Sequence, residues 1–302
     1  MEDLGLSHGY LNFGSAAIPL SIGDRNVVGC VAYQRVIDLF NKDEVTLPNG
    51  NYEIKQTGGV DAISPSVGIQ ISPQFSIGVA YNIYVGATSP KWKLLLTDEE
   101  FDAPKETYSG GNVTLGGLMG LGMFRIGATY KSPYILKANQ EQRLGVRGLV
   151  DFYEYEFEMK MPGMIGIGLM VEPTSNLRIA ADYELRGFSN FETRFKGFEF
   201  EKPTEEFVDV NQLRLGAEYL FMSGSNVIPF RLGLKTEPRP INDVNGNQII
   251  GAAITMGLGL VSHAFSLAAT LEYSALTLKY SDYEMTTSQV NVLLSGIFYF
   301  GK

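Results

Sequence analysis

The chain has 302 residues, of which 45% are hydrophobic, 19% charged and 12% aromatic, enough apolar content to exclude a disordered protein. A net charge of -9 and the lack of any basic block exclude nucleic acid as the main partner. A single cysteine, Cys30, excludes a disulfide framework or a cysteine-based zinc site within the chain.

The first residues, Met1-Glu2-Asp3-Leu4-Gly5, do not read as a signal peptide, and no run reaches the ~20 apolar residues of a membrane helix. Strand periodicity dominates instead. Thirteen runs read as strands: 7–20, 25–39, 58–71, 75–87, 108–120, 123–133, 149–171, 177–189, 208–221, 227–236, 247–260, 264–279 and 284–300. In the run at 177–189, Leu177, Ile179, Ala181, Tyr183 and Leu185 share one face, opposite Arg178, Asp182, Glu184 and Arg186. The next run sets Leu213, Leu215, Ala217 and Tyr219 against Gln212, Arg214 and Glu218. A short unit ending in tyrosine recurs at 77–81, 126–130, 179–183 and 215–219. Such recurrence points to repeated strands of one architecture.

Connections alternate between short (21–24, 72–74, 121–122, 172–176, 222–226, 261–263) and long (40–57, 88–107, 134–148, 190–207, 237–246, then 280–283). About 23 residues per strand exceeds the ~8–12-residue spacing of sandwiches and propellers. The predicted fold class is an all-β, transmembrane antiparallel β-barrel with short turns at one end and long loops at the other. Alternation alone leaves a soluble sandwich open, because an opposing sheet would bury the same faces. The charges Arg178, Asp182, Glu184, Arg186, Arg214, Glu218, Arg231, Lys235 and Glu272 oppose clean apolar faces, and in a barrel they line the lumen. The last run is amphipathic and ends in Phe298 and Phe300, before Gly301 and Lys302; it resembles the C-terminal signature that outer-membrane insertion machinery reads.

Three stretches, in order, carry a family resemblance: Arg125-Ile-Gly-Ala-Thr-Tyr-Lys-Ser-Pro133, Met161-Pro-Gly-Met-Ile-Gly-Ile-Gly168 continuing to Asn176–Tyr183, and Ile228-Pro-Phe-Arg-Leu-Gly-Leu234 with Pro238. Together they are similar to the FadL-like outer-membrane transporters of long-chain fatty acids and aromatic hydrocarbons. The resemblance covers roughly residues 10–300. It implies a fourteen-stranded monomeric barrel, plugged by an N-terminal hatch, through which apolar substrates diffuse without energy input. Thirteen strands with a C-terminus at the short-turn end violate the even count of such barrels. Residues 1–302 are therefore expected to form one barrel domain that lacks the hatch and the first strand.

Catalytic motifs are missing. Neither HExxH, GxSxG nor CxxC occurs. Gly296–Lys302 matches a P-loop by letter only, with an aromatic interior and no Ser/Thr. His263 reads as a solvated turn residue, His8 likewise, and Cys30 as a packing thiol. Neither enzyme activity, cofactor nor metal is expected.

The 88–107 loop holds Trp92, Leu94, Leu95, Leu96 and Phe101; the next long loop holds Tyr134, Ile135 and Leu136. By strand count these correspond to the family loops that form a capture groove, so the resemblance assigns these eight residues to substrate binding in a shared cleft. In the second run Val27, Val31 and Tyr33 face lipid, and Arg35 then breaks the phase. The strand is expected to bulge or leave the wall there, the place of a lateral exit by family order. The resulting reading is a passive outer-membrane channel for hydrophobic small molecules, fatty acids or hydrocarbons. Its partners are the substrate, outer-membrane lipid and the insertion machinery. A diffusion porin or structural barrel is the alternative within the class, and a soluble sandwich binding module the alternative outside it.

Overall fold

A computed structural model describes residues 7–47, 50–97, 99–102, 105–146, 149–279 and 284–300. It contains one antiparallel sheet of eighteen strands. They are β1 (Phe13–Ile22), β2 (Arg25–Asp38), β3 (Asn41–Leu47), β4 (Gly50–Ser72), β5 (Phe75–Leu94), β6 (Glu99–Asp102), β7 (Glu106–Leu121), β8 (Phe124–Lys131), β9 (Tyr134–Val146), β10 (Leu149–Met161), β11 (Met164–Thr174), β12 (Leu177–Arg186), β13 (Glu192–Phe195), β14 (Val210–Ser223), β15 (Asn226–Asn242), β16 (Gln248–Val261), β17 (Phe265–Lys279) and β18 (Glu284–Phe298).

Thirteen of them form the wall, paired in the sequence β1-β2-β4-β5-β7-β8-β11-β12-β14-β15-β16-β17-β18. A single curved sheet removes the sandwich alternative. The other five extend the wall beyond its outer end: β3 on β4, β6 on β5, β9 on β7 and β10, and β13 on β10. Among the described residues β1 pairs only with β2, and β18 only with β17. Both run toward the short-turn end.

The sheet needs lipid because of where its apolar faces point. Successive side chains alternate across a strand, and the ladder places Ile77, Leu115, Ile126, Ile167, Ile179, Leu215, Leu232, Ile254 and Leu271 together on the outside, all more than a third exposed. Phe75, Phe124, Phe221 and Phe298 ring the short-turn end of this band, and Tyr81, Tyr130, Tyr183 and Tyr273 ring its outer side. Two aromatic girdles around an aliphatic band are the mark of a membrane-embedded barrel. No helix among the described residues is long and apolar enough to cross a membrane; the strands do the crossing. Five two-residue turns and the three-residue turn 262–264 close the short end, and Gly122 and Gly224 take φ +61° there, a conformation that costs a residue with a Cβ.

The long loops are the main departure from the expected layout. Most of 40–57, 88–107 and 134–148 is laddered strand, β15 runs on to Asn242, and the run 149–171 is split at Pro162-Gly163 into β10 and β11. The reason is cooperative: once β8 and β11 are in register, β9 and β10 continue with the same offset. A bulge at Ser132-Pro133, where proline offers no N–H, hides this continuity by shifting the alternation by one residue. The 280–283 turn, Pro48-Asn49 and Gly301-Lys302 lie outside the described residues.

Met256, half exposed at mid-band, and Thr255 beside it on the lumen face separate the two environments. Met256→Arg is expected to lower stability by about 2–4 kcal/mol, the cost of a charge at the bilayer midplane, and Thr255→Arg by far less. Denaturant titration of folding into lipid vesicles measures both.

Candidate functional site

The lumen divides into two unlike halves. From β11 to β17 its face is ionic. Arg178 bridges Glu172 (2.9 Å) and Glu218 (2.8 Å), and Arg231 reaches the second oxygen of Glu218 (2.7 Å). Arg186 (2.5 Å) and Arg214 (3.0 Å) hold Glu184, while Lys235 joins Glu237 (3.0 Å) and Glu272 (2.8 Å). Arg125 adds a contact to Glu172 at 3.2 Å. With Asp182, and with Lys131 and Arg239 on the same face, cations and carboxylates are interspersed along this wall rather than segregated by sign. A cavity of about 450 Å³ lies along this half, between Arg178, Asp182, Arg214 and Lys235.

Along β4, β5 and β7 the lumen face below the mouth is mostly small or amide, with Leu118 and Gln70 near the short-turn end. Ser64 donates to Asn82 Oδ1 (2.7 Å), and Asn82 Nδ2 donates to Asn112 Oδ1 (2.7 Å) and Thr114 Oγ1 (2.8 Å). Tyr84 OH and Asn112 Nδ2 extend this rung to Asn112 Oδ1 and the Ser132 carbonyl. Such a network survives burial because its donors are satisfied.

Above the rung sits a buried apolar cluster of Val60, Ala62, Tyr84 and Leu136, packed by Ile37, Tyr108, Tyr134, Met159 and Met161. Tyr84 and Tyr134 stack at 4.5 Å between centroids. The cluster draws on the lumen faces of β2, β4, β5, β7, β9 and β10. Close approach of the strands makes it possible: a side chain at Gly58, Gly59 or Gly86 would strike the backbone of Ala87, Ile37 or Gly59 respectively. A bulge between Arg35 and Ile37, and a one-residue shift against β7 that begins at Ser132-Pro133, turn Ile37, Tyr134 and Leu136 inward.

All nine charges assigned to the lumen lie on one face of the ladder, and eight of them are joined in ion pairs; Asp182 has none among the described residues. The groove residues separate. Tyr134 and Leu136 enter the buried cluster, and Ile135 turns to the outside. Leu94 is half-buried opposite Tyr52, whereas Leu95 and Leu96 are exposed, Leu96 at 90%. Trp92 and Phe101 are cross-strand partners on β5 and β6; their side chains lie outside the described residues. Leu94–Leu96 are not among the residues that form or pack against that cluster. Val60, Ala62 and Tyr84, the centre of the cluster, carry no motif of their own in the sequence. The available signal was Arg35: a charge in a lipid-facing phase marks a bulge, and a bulge re-aims the side chains beyond it. Arg35 stays in the wall, its charge met by Asp61 (2.5 Å) and Asp38 (3.6 Å), with Tyr33 donating to Asp61 (2.8 Å). The β2–β4 ladder continues past it to Asp38.

On the outer surface of the β9–β10 extension, beyond the membrane span, Glu158 is held by Arg194 (2.5 Å) and Lys137 (3.1 Å), and Glu156 by Lys137 and Lys196 (3.1 Å each). Arg194 first, then Lys137, holds the Glu158 carboxyl below its ordinary range; both glutamates push the Lys137 ammonium up.

These features define a lipid-embedded β-barrel with an apolar plug over a charge-balanced lumen. The chain belongs to the BamG family, whose profile matches residues 10–275. No curated protein sequence matches it. Among solved structures it is similar to the Ralstonia pickettii toluene transporter TbuX (14% identity, 93% of this chain and 79% of that one, TM-score 0.61). It is also similar to the Pseudomonas putida toluene transporter TodX (11%, 95% and 82%, 0.60) and to a Pseudomonas aeruginosa FadL homologue (12%, 95% and 77%, 0.59). At such identities the likeness is one of fold, and the fold is that of the FadL-like outer-membrane barrels.

Glu158 gives the extension a defined acid response. A carboxyl whose folded pKa is lowered stabilises above its unfolded pKa, and that contribution is lost as pH falls through the folded value. Amide exchange in β9–β10 is expected to quicken several-fold below about pH 4. Glu158→Gln should exchange faster at neutral pH and lose most of this acid dependence.

Proposed function

We propose that this protein is a passive outer-membrane uptake channel for hydrophobic small molecules, acting as a monomer, without enzymatic chemistry, and placed in the membrane by machinery that reads β18. The observation that carries this reading is the buried cluster around Tyr84 and Leu136, made of lumen-facing residues at the barrel mouth. A water-filled porin has no use for such a plug, and a structural barrel has no need of aromatic and methionine side chains inside it. An apolar guest can replace these contacts at about 0.8 kcal/mol per CH₂ buried and move on by diffusion. The neighbours named as toluene transporters support the same class of cargo. The exposed Leu95 and Leu96, with Trp92, are assigned to first capture at the rim, and Tyr134 and Leu136 to the step below it.

Uptake of labelled hexadecanoate and of toluene by cells carrying the protein tests the reading. Leu136→Asp is expected to lower both at least tenfold, and Trp92→Ala with Leu95→Asp to lower them less, with flux of small sugars unchanged. Equal uptake by cells with and without the wild-type protein would overturn it.

A further inference from the structure

Where β8 passes into β9, the ladder with β7 breaks. Its last regular pair there is Thr114 with Lys131 and its next is Ser109 with Lys137, so residues 110–113 stand against 132–136, one residue more. At the break Ser132 and Val113 would exchange two backbone bonds if they formed a regular hydrogen-bonded pair. One of the two is made: Ser132 N–H donates to the Val113 carbonyl at 2.9 Å. Val113 N–H donates instead to Ser132 Oγ, at 3.2 Å. The Ser132 carbonyl, displaced from that partner, accepts from the Asn112 side chain, Nδ2, at 2.9 Å. Pro133 follows, and Gly163 on the neighbouring strand makes room for it. A side chain at Gly163 would crowd the Lys131 carbonyl oxygen at 3.0 Å and Pro133 Cδ at 3.2 Å.

Asn112 is 4% exposed, and the other end of its amide is also engaged. Its Oδ1 accepts from Tyr84 OH at 3.1 Å and from Asn82 Nδ2 at 2.7 Å. One amide therefore joins the phase-shifted segment to the aromatic side chain at the centre of the apolar cluster. The shift decides which side chain the mouth receives. Leu136 is 2% exposed within the cluster, whereas Ile135 is 38% exposed on the outside. Without the amide the Ser132 carbonyl loses its donor, and the chain recovers one by restoring the regular pair of Ser132 with Val113. That pair would undo the shift and aim residue 135 inward in place of 136. We infer that Asn112 is the positioning residue of the apolar cluster. Its Nδ2 fixes the phase of β9 and hence Leu136, and its Oδ1 orients Tyr84, which stacks on Tyr134. Asn112 acts on cargo only through those side chains, and that consequence rests on the proposed uptake function.

The test uses the full chain folded in detergent, in a Cys30→Ser background, with Leu136→Cys or Ile135→Cys labelled by a water-soluble maleimide. With Asn112 in place, Leu136→Cys should react at least tenfold more slowly than Ile135→Cys. Adding Asn112→Ala should speed labelling of Leu136→Cys at least tenfold and leave Ile135→Cys no faster. A change of phase exchanges the two positions, whereas a general loosening exposes both. Asn112→Asp keeps the shape and the acceptor but loses the donor, and should give the same result. Tyr84→Phe leaves the Ser132 bond intact and should change neither rate. Heat-modifiable gel mobility reports folding of each variant. Unchanged labelling of Leu136→Cys, or an equal rise at both positions, in whichever Asn112 variant folds would overturn the inference. Toluene uptake by cells carrying Asn112→Ala should fall several-fold. Labelling reads geometry without cargo, so its failure strikes this inference alone; toluene uptake equal with and without the wild-type protein strikes the uptake reading alone.

Discussion

Within a bilayer no water is available to a backbone N–H or C=O, and each unsatisfied group costs several kcal/mol. Every other property of this chain is arranged around that demand. The backbone meets it by laddering thirteen wall strands. Once strands are fixed side by side, the pleat decides the rest: alternate residues must face lipid and the intervening ones the lumen. Ile179, Ala181 and Tyr183 cannot be moved inward without moving Arg178, Asp182 and Glu184 outward. The apolar band, the girdles of phenylalanine and tyrosine, and the ionic lumen are therefore one solution and not three.

The interior shows what can be done with the half of the residues that lipid does not claim. Charges there are matched across neighbouring strands, which keeps the lumen close to neutral. Individually such half-exposed pairs are worth little, but they leave no unpaired cation to hold an anion at Arg178, Arg214 or Arg231. On β4, β5 and β7, glycine, serine and asparagine replace charge, so that this side of the passage carries mostly short neutral side chains and the other long charged ones. An apolar guest thus has a side on which it can travel without stripping water from ions.

The mouth departs from strict alternation, and its departures are local. One extra residue after Arg35, and another between Lys131 and Lys137 relative to β7, shift the phase of β2 and of β9. The residues beyond those points face inward where an unbroken strand would have sent them out. A few glycines that tolerate backbone contact then bring β2, β4 and β5 close enough for Val60, Ala62, Tyr84 and Leu136 to touch. The same device that re-aims a side chain in many sheets here converts a barrel rim into a small core.

The wall was legible in the linear sequence, because lipid on one side and water on the other impose a period of two that needs no tertiary information to read. The spans, the short turns and the two faces of β12, β14 and β17 come directly from it, with Arg214, Glu218 and Glu272 on the face opposite the apolar band. The length of the strands beyond the membrane did not, since outside lipid neither face is compelled to be apolar and hairpins such as β9–β10 persist on register alone. Tertiary structure also decided which apolar residues meet. Tyr84 and Leu136 are 52 positions apart, and only the phase shift at Ser132-Pro133 aims Leu136 at Tyr84 while Ile135 turns away. Composition showed that glycine is plentiful, at 34 residues. Which of those glycines face each other across five strands is a property of register, and register exists only in the folded sheet.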